Sequence, residues 1–139
     1  MRALAAAVML LAATPATAET WDCVARQTFY ASEVFDAFSN PIQERMQFVV
    51  APDGASATVM DPLIRAVHGG PIAARVTENT DAKLVITWSI PMQGFALAQA
   101  TMSFRAALLK TPNRLIVTAV PLGFTERFFA RGGCARTAG

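Results

Sequence analysis

Apolar and polar residues alternate one by one along most of the chain beyond residue 18. A period of two puts every second side chain on the same face of an extended backbone, which is typical of strands with one buried face. Turn residues such as Pro52-Asp53-Gly54 and Thr111-Pro112-Asn113 separate the alternating runs. The sequence therefore predicts an all-β fold with one or two short helical turns. A single antiparallel meander of about eight strands is expected to close into a small barrel or sandwich.

The predicted strands are the segments in which the alternation is clearest. They cover residues 21–29, 46–50, 57–59, 72–76, 84–90, 98–108, 115–119 and 127–134.

Two other segments carry helix signals. Asp61 and Pro62 have the residue types preferred at a helix N-cap and first position, and Gly69 suits the residue beyond the last turn. The segment Tyr30–Phe38 has apolar residues at helical spacing. Both segments are too short to be stable unless they pack on the sheet.

The first 18 residues have the pattern of an export signal. Arg2 precedes the apolar run Ala3–Ala13, and Ala16-Thr17-Ala18 places small residues where a signal peptidase requires them. The apolar run is shorter than the roughly 20 residues that a membrane-spanning helix needs. We therefore expect cleavage after Ala18, a single β-rich domain over residues 19–139, and a periplasmic or secreted protein without a membrane span.

The net charge of the exported chain is close to zero. Removing Arg2 leaves 11 Lys plus Arg (12 − 1) against 10 Asp plus Glu, a formal balance of +1. A near-neutral balance predicts no nucleic-acid partner and gives no reason to expect an anionic membrane.

The two cysteines, Cys23 and Cys134, lie near the two ends of the predicted domain. In an oxidising compartment an even pair predicts a structural disulfide. Such a bond requires the first and last strands to be neighbours, which a closing sheet provides. It would stabilise the fold by about 4 to 5 kcal/mol, mainly because it restricts the unfolded chain.

No cluster of residues predicts a catalytic site, a metal site or a cofactor. His68 is the only histidine, the serines lie in no G-x-S-x-G context, and the carboxylates are scattered singly. We expect His68 to be a surface residue beside a Gly-Gly turn. An enzyme would need His68 buried beside a carboxylate and a serine in a cleft.

Aromatic and basic residues alternate in the last predicted strand. Phe128 and Ala130 are expected to face inward, which leaves Arg127, Phe129 and Arg131 on the other face. An exposed phenylalanine between two guanidinium groups predicts an interaction patch. Alternatively, Phe129 packs under a loop or under the segment Tyr30–Phe38.

Trp21 in the first strand and an arginine near the far end, Arg131 or Arg136, resemble the pattern of lipocalin- and avidin-type barrels. In those folds an aromatic residue and an arginine meet across the closed end. The Gly-x-Trp of that family is absent here. Small size, export and a cysteine near each terminus also resemble the periplasmic C-type lysozyme inhibitors, although no segment matches their signature. No functional residue is assigned from either family.

Three functions remain open at this point. The first is a non-catalytic binding or protein-interaction module that contacts an envelope protein. The second is a lipocalin-like carrier of a small apolar ligand, and the third is an enzyme inhibitor similar to the lysozyme inhibitors. The barrel interior distinguishes the first two: a lumen filled by Phe48, Trp88, Phe104 and Leu108 is a packed core, whereas a pocket of about 300 Å³ or more favours a carrier.

Overall fold

The computed structural model describes residues 17–27, 41–91, 101–123 and 127–137. The predicted signal peptide, apart from its last two residues, lies outside this range. The helix predicted at Tyr30–Phe38 and the first residues of the strand predicted from Ala98 also lie outside the described residues.

The described residues form an antiparallel barrel with one short helix. Strands pair in sequence order, and the last strand pairs back onto the first to close the barrel. The predicted all-β meander is therefore confirmed, and it closes as a barrel. The elements are β1 (Glu19–Gln27), β2 (Arg45–Val50), β3 (Ser56–Met60), α1 (Pro62–His68), β4 (Ile72–Asn79), β5 (Lys83–Pro91), β6 (Thr101–Leu109), β7 (Arg114–Pro121) and β8 (Phe128–Thr137).

The two faces of most strands follow the alternation in the sequence. In β7, for example, Leu115, Val117 and Ala119 are buried, whereas Arg114 and Ile116 are exposed. The pattern is weaker in β4, which has no fully buried residue, and it is interrupted in β5, where Val85 is buried together with its neighbours. Burial of the apolar side chains is the main term that stabilises the fold.

A disulfide joins the strands at which the barrel closes. Cys23 of β1 lies directly opposite Cys134 of β8, with their Cα atoms 4.0 Å apart and their sulfur atoms bonded. The predicted bond is therefore present. It links residues separated by 111 positions, so it restricts almost the whole described chain in the unfolded state.

The closing strands also approach each other closely at a glycine. Gly132 of β8 pairs with Ala25 of β1. A Cβ atom at this position would clash with the backbone carbonyl of Val24. Glycine at this position therefore allows the first and last strands to come together two residues from Cys134.

The helix predicted from Asp61 is confirmed. The Asp61 side chain accepts a hydrogen bond of 2.7 Å from the backbone N–H of Ile64, Pro62 occupies the first turn, and Gly69 ends the helix with φ of 78°. Ile64 is fully buried against the core. The helix α1 thus packs on the barrel through Ile64 and the partly buried Leu63, and its other residues are exposed.

The antiparallel meander gives the barrel two different ends. At the first, which we call the tight end, short hairpins join the strands through residues 51–55, 80–82 and 110–113. At the second, the helix end, α1 lies between β3 and β4, and the other strands are joined through residues 28–44, 92–100 and 122–127. The helix end therefore holds the longer connections, of which the structure describes only part.

Candidate functional site

Aromatic rings fill the middle of the barrel. Trp88 stacks on Phe104 with ring centroids 5.2 Å apart and planes 2° from parallel, and it meets Phe48 edge-on at 5.4 Å. All three side chains are buried, as is Leu108. The four side chains that the sequence suggested as filling the lumen are therefore packed in the interior.

Two indole N–H groups inside the barrel lack a hydrogen-bond partner. The Nε1 atoms of Trp21 and Trp88 are buried and unpaired among the described residues. A buried N–H without an acceptor costs roughly 1 to 3 kcal/mol. Both atoms are thus potential donors to a small group with an oxygen acceptor.

Two cations lie over the ring of Trp21 at the tight end. The Arg136 guanidinium is 5.9 Å and the Lys110 ammonium 6.0 Å from the ring centroid. Arg136 also pairs with Glu19 at 2.9 Å, and Lys110 donates to the Asn79 side chain at 3.0 Å. The expected meeting of a first-strand tryptophan and a last-strand arginine is therefore present, with Arg136 as the partner and not Arg131.

Side-chain hydrogen bonds extend this arrangement across the tight end. Asn79 donates to the carbonyl of Gly54 at 3.3 Å, which ties the second hairpin to the first. Asn113, in the third hairpin, donates to the carbonyl of Cys134 at 2.7 Å and accepts from its N–H at 2.9 Å. The three hairpins and β8 are thus linked to one another.

The predicted interaction patch lies on the outer surface of β8 and just before it. Arg127 and Arg131 are exposed, and Phe129 is half-buried, next to Thr118 of β7. Phe128 and Ala130 are buried, as the alternation predicted. The role of Arg127, Phe129 and Arg131 in binding stays a prediction.

Strand pairing places further arginines and apolar residues beside this patch. Arg131 lies between Ile116 of β7 and Arg26 of β1, and Val24 lies beside Arg45 of β2. Similarly, Leu109 of β6 pairs with Arg114, and Arg105 pairs with Thr118. We call this surface the arginine face and define it by Val24, Arg26, Arg45, Arg105, Leu109, Arg114, Ile116, Phe129 and Arg131.

Like charges face each other in the centre of the arginine face. Arg26 and Arg131 are direct cross-strand partners on the outer surface. Arg26 pairs with Glu44 at 3.6 Å, with both side chains largely exposed, whereas Arg131 forms no ion pair with any described residue. Like charges at directly opposed positions destabilise a sheet slightly, so this pair leaves positive charge that a ligand can neutralise.

The residues considered for catalysis are not brought together in the described part of the chain. His68 is exposed at the end of α1, whereas Ser56, Ser89 and Ser103 lie on outer strand faces. Within the described ranges, no group of three His, Cys, Asp or Glu residues is arranged to hold a metal ion. Ser32, Ser39, Glu33 and Asp36 lie outside those ranges.

Asp61 is the one buried carboxyl among the described residues. Burial raises the pKa of this carboxyl above its usual value, while hydrogen bonds from the backbone N–H groups of Ile64 and Leu63 act in the opposite direction. Because its side chain already caps α1, Asp61 has a structural role.

The sequence pattern identified the patch on β8 but not the surface around it. Arg26 and Arg105 are far from Arg131 in sequence, and only the strand register brings them onto one surface. The alternation of apolar and polar residues in β1 and β6 predicts that both side chains face outward. The order of strands alone would have placed β1 beside β8, but not Arg26 opposite Arg131.

The described helix is too short and too polar to cross a bilayer, and no other helix that could do so occurs in the described ranges. Comparisons of the chain with models of known protein families, with curated proteins and with solved structures find no match.

Proposed function

We propose that the protein is an exported, non-catalytic binding or interaction module, and that it contacts another envelope component through the outer surface of the barrel. The export signal expected over residues 1–18 and the Cys23–Cys134 disulfide support a location in the periplasm or outside the cell. The inhibitor similar to the lysozyme inhibitors is one form of this proposal, in which the contacted component is an enzyme.

The observation that carries the proposal is the filled interior. Phe48, Trp88 and Phe104 pack on one another in the middle of the barrel and exclude solvent. A barrel whose lumen is occupied by its own side chains has its outer surface left for binding. The arginine face is the part of that surface in which arginine and apolar residues, both enriched in binding sites, are interleaved.

Site-directed photo-crosslinking in the living cell tests this proposal. A photoreactive amino acid at Ile116, an exposed position on the arginine face, should give a defined crosslinked product with an envelope component. The same amino acid at Ser89, an exposed position on the outer face of β5, serves as the matched control.

A product from Ile116 that is absent from Ser89 is the expected result, and mass spectrometry identifies the component. Equal products from both positions, or a product only from Ser89, would contradict the proposed use of this face. Recovery of the protein only from the cytoplasm would contradict the proposed export.

The carrier of a small apolar ligand is the second candidate. It is favoured by the buried Nε1 atom of Trp88, which has no acceptor among the described residues, and by the similarity of the Trp21–Arg136 contact to lipocalin- and avidin-type barrels. An apolar ligand with one oxygen acceptor would satisfy the Trp88 donor.

Binding of an apolar fluorescent probe separates the two candidates. The packed interior predicts no saturable binding to the wild type. A carrier would bind the probe with a fixed stoichiometry, and Trp88→Phe would weaken that binding because it removes the donor and keeps an aromatic ring.

A further inference from the structure

The arginine face carries more positive charge than the near-neutral composition of the chain suggests. The whole chain is nearly neutral, yet the outer surfaces of five consecutive strands, from β6 through β8 and β1 to β2, carry five exposed arginines: Arg26, Arg45, Arg105, Arg114 and Arg131. The pair Arg26 and Arg131 lies at their centre. Two carboxylates border it, and both are engaged: Asp22 accepts a hydrogen bond from Gln47 at 2.9 Å, and Glu44 pairs with Arg26.

The same surface holds most of the exposed large apolar side chains of the described residues. Val24, Leu109 and Ile116 are 39%, 40% and 43% exposed, and only Val67 and Leu122 lie elsewhere. The outer surfaces of β3, β4 and β5 carry serine, threonine, the Glu78–Lys83 ion pair and a single exposed arginine, Arg75. Arginines and exposed apolar residues are thus more frequent on the other five strands.

We propose that the arginine face docks the protein on an anionic lipid surface, with guanidinium groups on lipid phosphates and the apolar side chains at the headgroup boundary. This inference rests on the proposed function, and it specifies the envelope component as a phosphate-bearing lipid. The guanidinium group is suited to this contact because it donates two parallel hydrogen bonds to phosphate oxygens.

Two features favour a lipid surface over a protein partner. First, every described strand has a neighbour on both sides, so the barrel offers no open strand edge for the backbone pairing by which sheets commonly bind peptides. Second, Arg26 and Arg131 are directly opposed on neighbouring strands about 4.8 Å apart. Lipid headgroups move laterally and two of them can match this pair of cations, whereas a protein must present carboxylates at fixed positions.

Sedimentation with lipid vesicles tests the inference. The purified, oxidised protein is mixed with vesicles of phosphatidylcholine and phosphatidylglycerol in equal parts, or of phosphatidylcholine alone, at low and high sodium chloride. We expect binding to the anionic vesicles only, and weaker binding in high salt because exposed charges are screened over about 10 Å at 0.1 M salt.

Matched pairs of variants locate the contact. Arg26→Gln with Arg131→Gln should lower the affinity for anionic vesicles about 30-fold, the change expected when two cationic residues are removed from an anionic surface. Arg65→Gln with Arg75→Gln removes the same charge from α1 and β4, where both arginines are exposed and form no ion pair with described residues. This control should change the affinity less than threefold, since those residues lie off the arginine face.

Two further variants separate charge from geometry. Arg26→Lys with Arg131→Lys keeps the charge but not the paired hydrogen bonds, so it should retain only part of the affinity. Ile116→Thr keeps a β-branched residue in β7 and should weaken binding severalfold without changing its salt dependence. Thermal melting of each variant shows that the fold is retained.

Equal losses in the glutamine variant and its control, or no binding to anionic vesicles by the wild type, would overturn the inference. In the second case, a crosslink from Ile116 to an acidic protein would leave the proposed function standing and identify the partner as a protein. Without a crosslink specific to the arginine face, the proposed function would fail as well.

Discussion

The two ends of the barrel are held together by different means. At the tight end, polar side chains reach from one hairpin to the next: Asn79 bonds to Gly54 and to Lys110, and Asn113 bonds to Cys134. At the helix end, Ile64 of α1 is buried against the core, and the Asp61 side chain bonds within the first turn of α1. The comparison teaches that side-chain bonds join one hairpin to the next at the tight end, whereas α1 is attached to the barrel by packing.

The difference also bears on function. At the tight end, Arg136 and Lys110 lie over the Trp21 ring and are themselves engaged with Glu19 and Asn79. A ligand of the alternative carrier that entered at this end would have to displace these contacts. The arginine face runs along the side of the barrel between the two ends, so its use does not depend on either.

The largest expected effect is loss of the disulfide in the tight-end half of the barrel. Replacing both cysteines, Cys23→Ala with Cys134→Ala, should lower the free energy of unfolding by about 4 to 5 kcal/mol, because the unfolded chain is released from a loop of 111 residues. Chemical denaturation measures the loss. The wild type with its disulfide reduced should unfold at nearly the same denaturant concentration as the double variant.

Hydrogen exchange then shows whether the effect is global or local. Because the bond mainly restricts the unfolded chain, amides that exchange through global unfolding should lose protection equally at both ends. An additional loss confined to β1 and β8 near Cys23 and Cys134 would show that the bond also holds these two strands together. If the oxidised and reduced wild type have the same free energy of unfolding, the disulfide does not stabilise the fold, and the prediction for the double variant is wrong.

Trp88 provides the corresponding test of the packed interior in the middle of the barrel. Trp88→Ala should cost about 3 to 5 kcal/mol, because it removes a large ring from between Phe48 and Phe104. Trp88→Phe is the matched control, since it keeps an aromatic ring and removes the unpaired Nε1 donor. Chemical denaturation of both variants gives the loss in each. A cost below about 1 kcal/mol for Trp88→Ala would mean that Trp88 lines a pocket.

Asn113 tests the bonds of the tight end. Its backbone has φ of 65°, a conformation that favours glycine and asparagine, and its side chain forms two hydrogen bonds with the backbone of Cys134. Asn113→Gly keeps the backbone conformation and should cost about 1 to 3 kcal/mol for the two lost bonds. Asn113→Ala should cost roughly 1 kcal/mol more, because alanine disfavours this φ. Equal stability of Asn113→Gly and the wild type in thermal melting would show that the bonds do not hold the hairpin to β8.

Much of the fold followed from the sequence, because alternation records which side chains face the core. The side chains of Trp88 and Phe104 face the core and that of Arg131 faces outward, as the pattern predicts. The two bonds of Asn113 were not predictable, since they depend on the register between β7 and β8 and on a φ that the residue type permits but does not require. The same limit applies to the arginine face: the pairing of Arg26 with Arg131 is set by the register at which β1 meets β8.

The smallest expected effect concerns Asp61 at the helix end, and it depends on pH. Burial raises the pKa of this carboxyl in the folded protein above its value of 3.8 in the unfolded chain. The folded state therefore holds the proton to a higher pH than the unfolded state does. The stability that Asp61 contributes is fully present below pH 3.8 and is lost as the pH rises through the folded pKa.

Asp61→Asn should remove this loss, because asparagine cannot ionise but still accepts the hydrogen bond from the Ile64 N–H. The variant should become more stable relative to the wild type as the pH rises from 3.8 to above the folded pKa, after which the difference should stay constant. Asp61→Ala is the control for the cap itself and should be about 0.5 to 2 kcal/mol less stable than Asp61→Asn at every pH, because neither variant ionises at this position. Thermal melting of the three proteins across this pH range measures both effects. A lower stability of Asp61→Asn than of the wild type at neutral pH would contradict this prediction. The ionised carboxylate would then stabilise α1, and the helix end would depend on a specific polar bond as the tight end does.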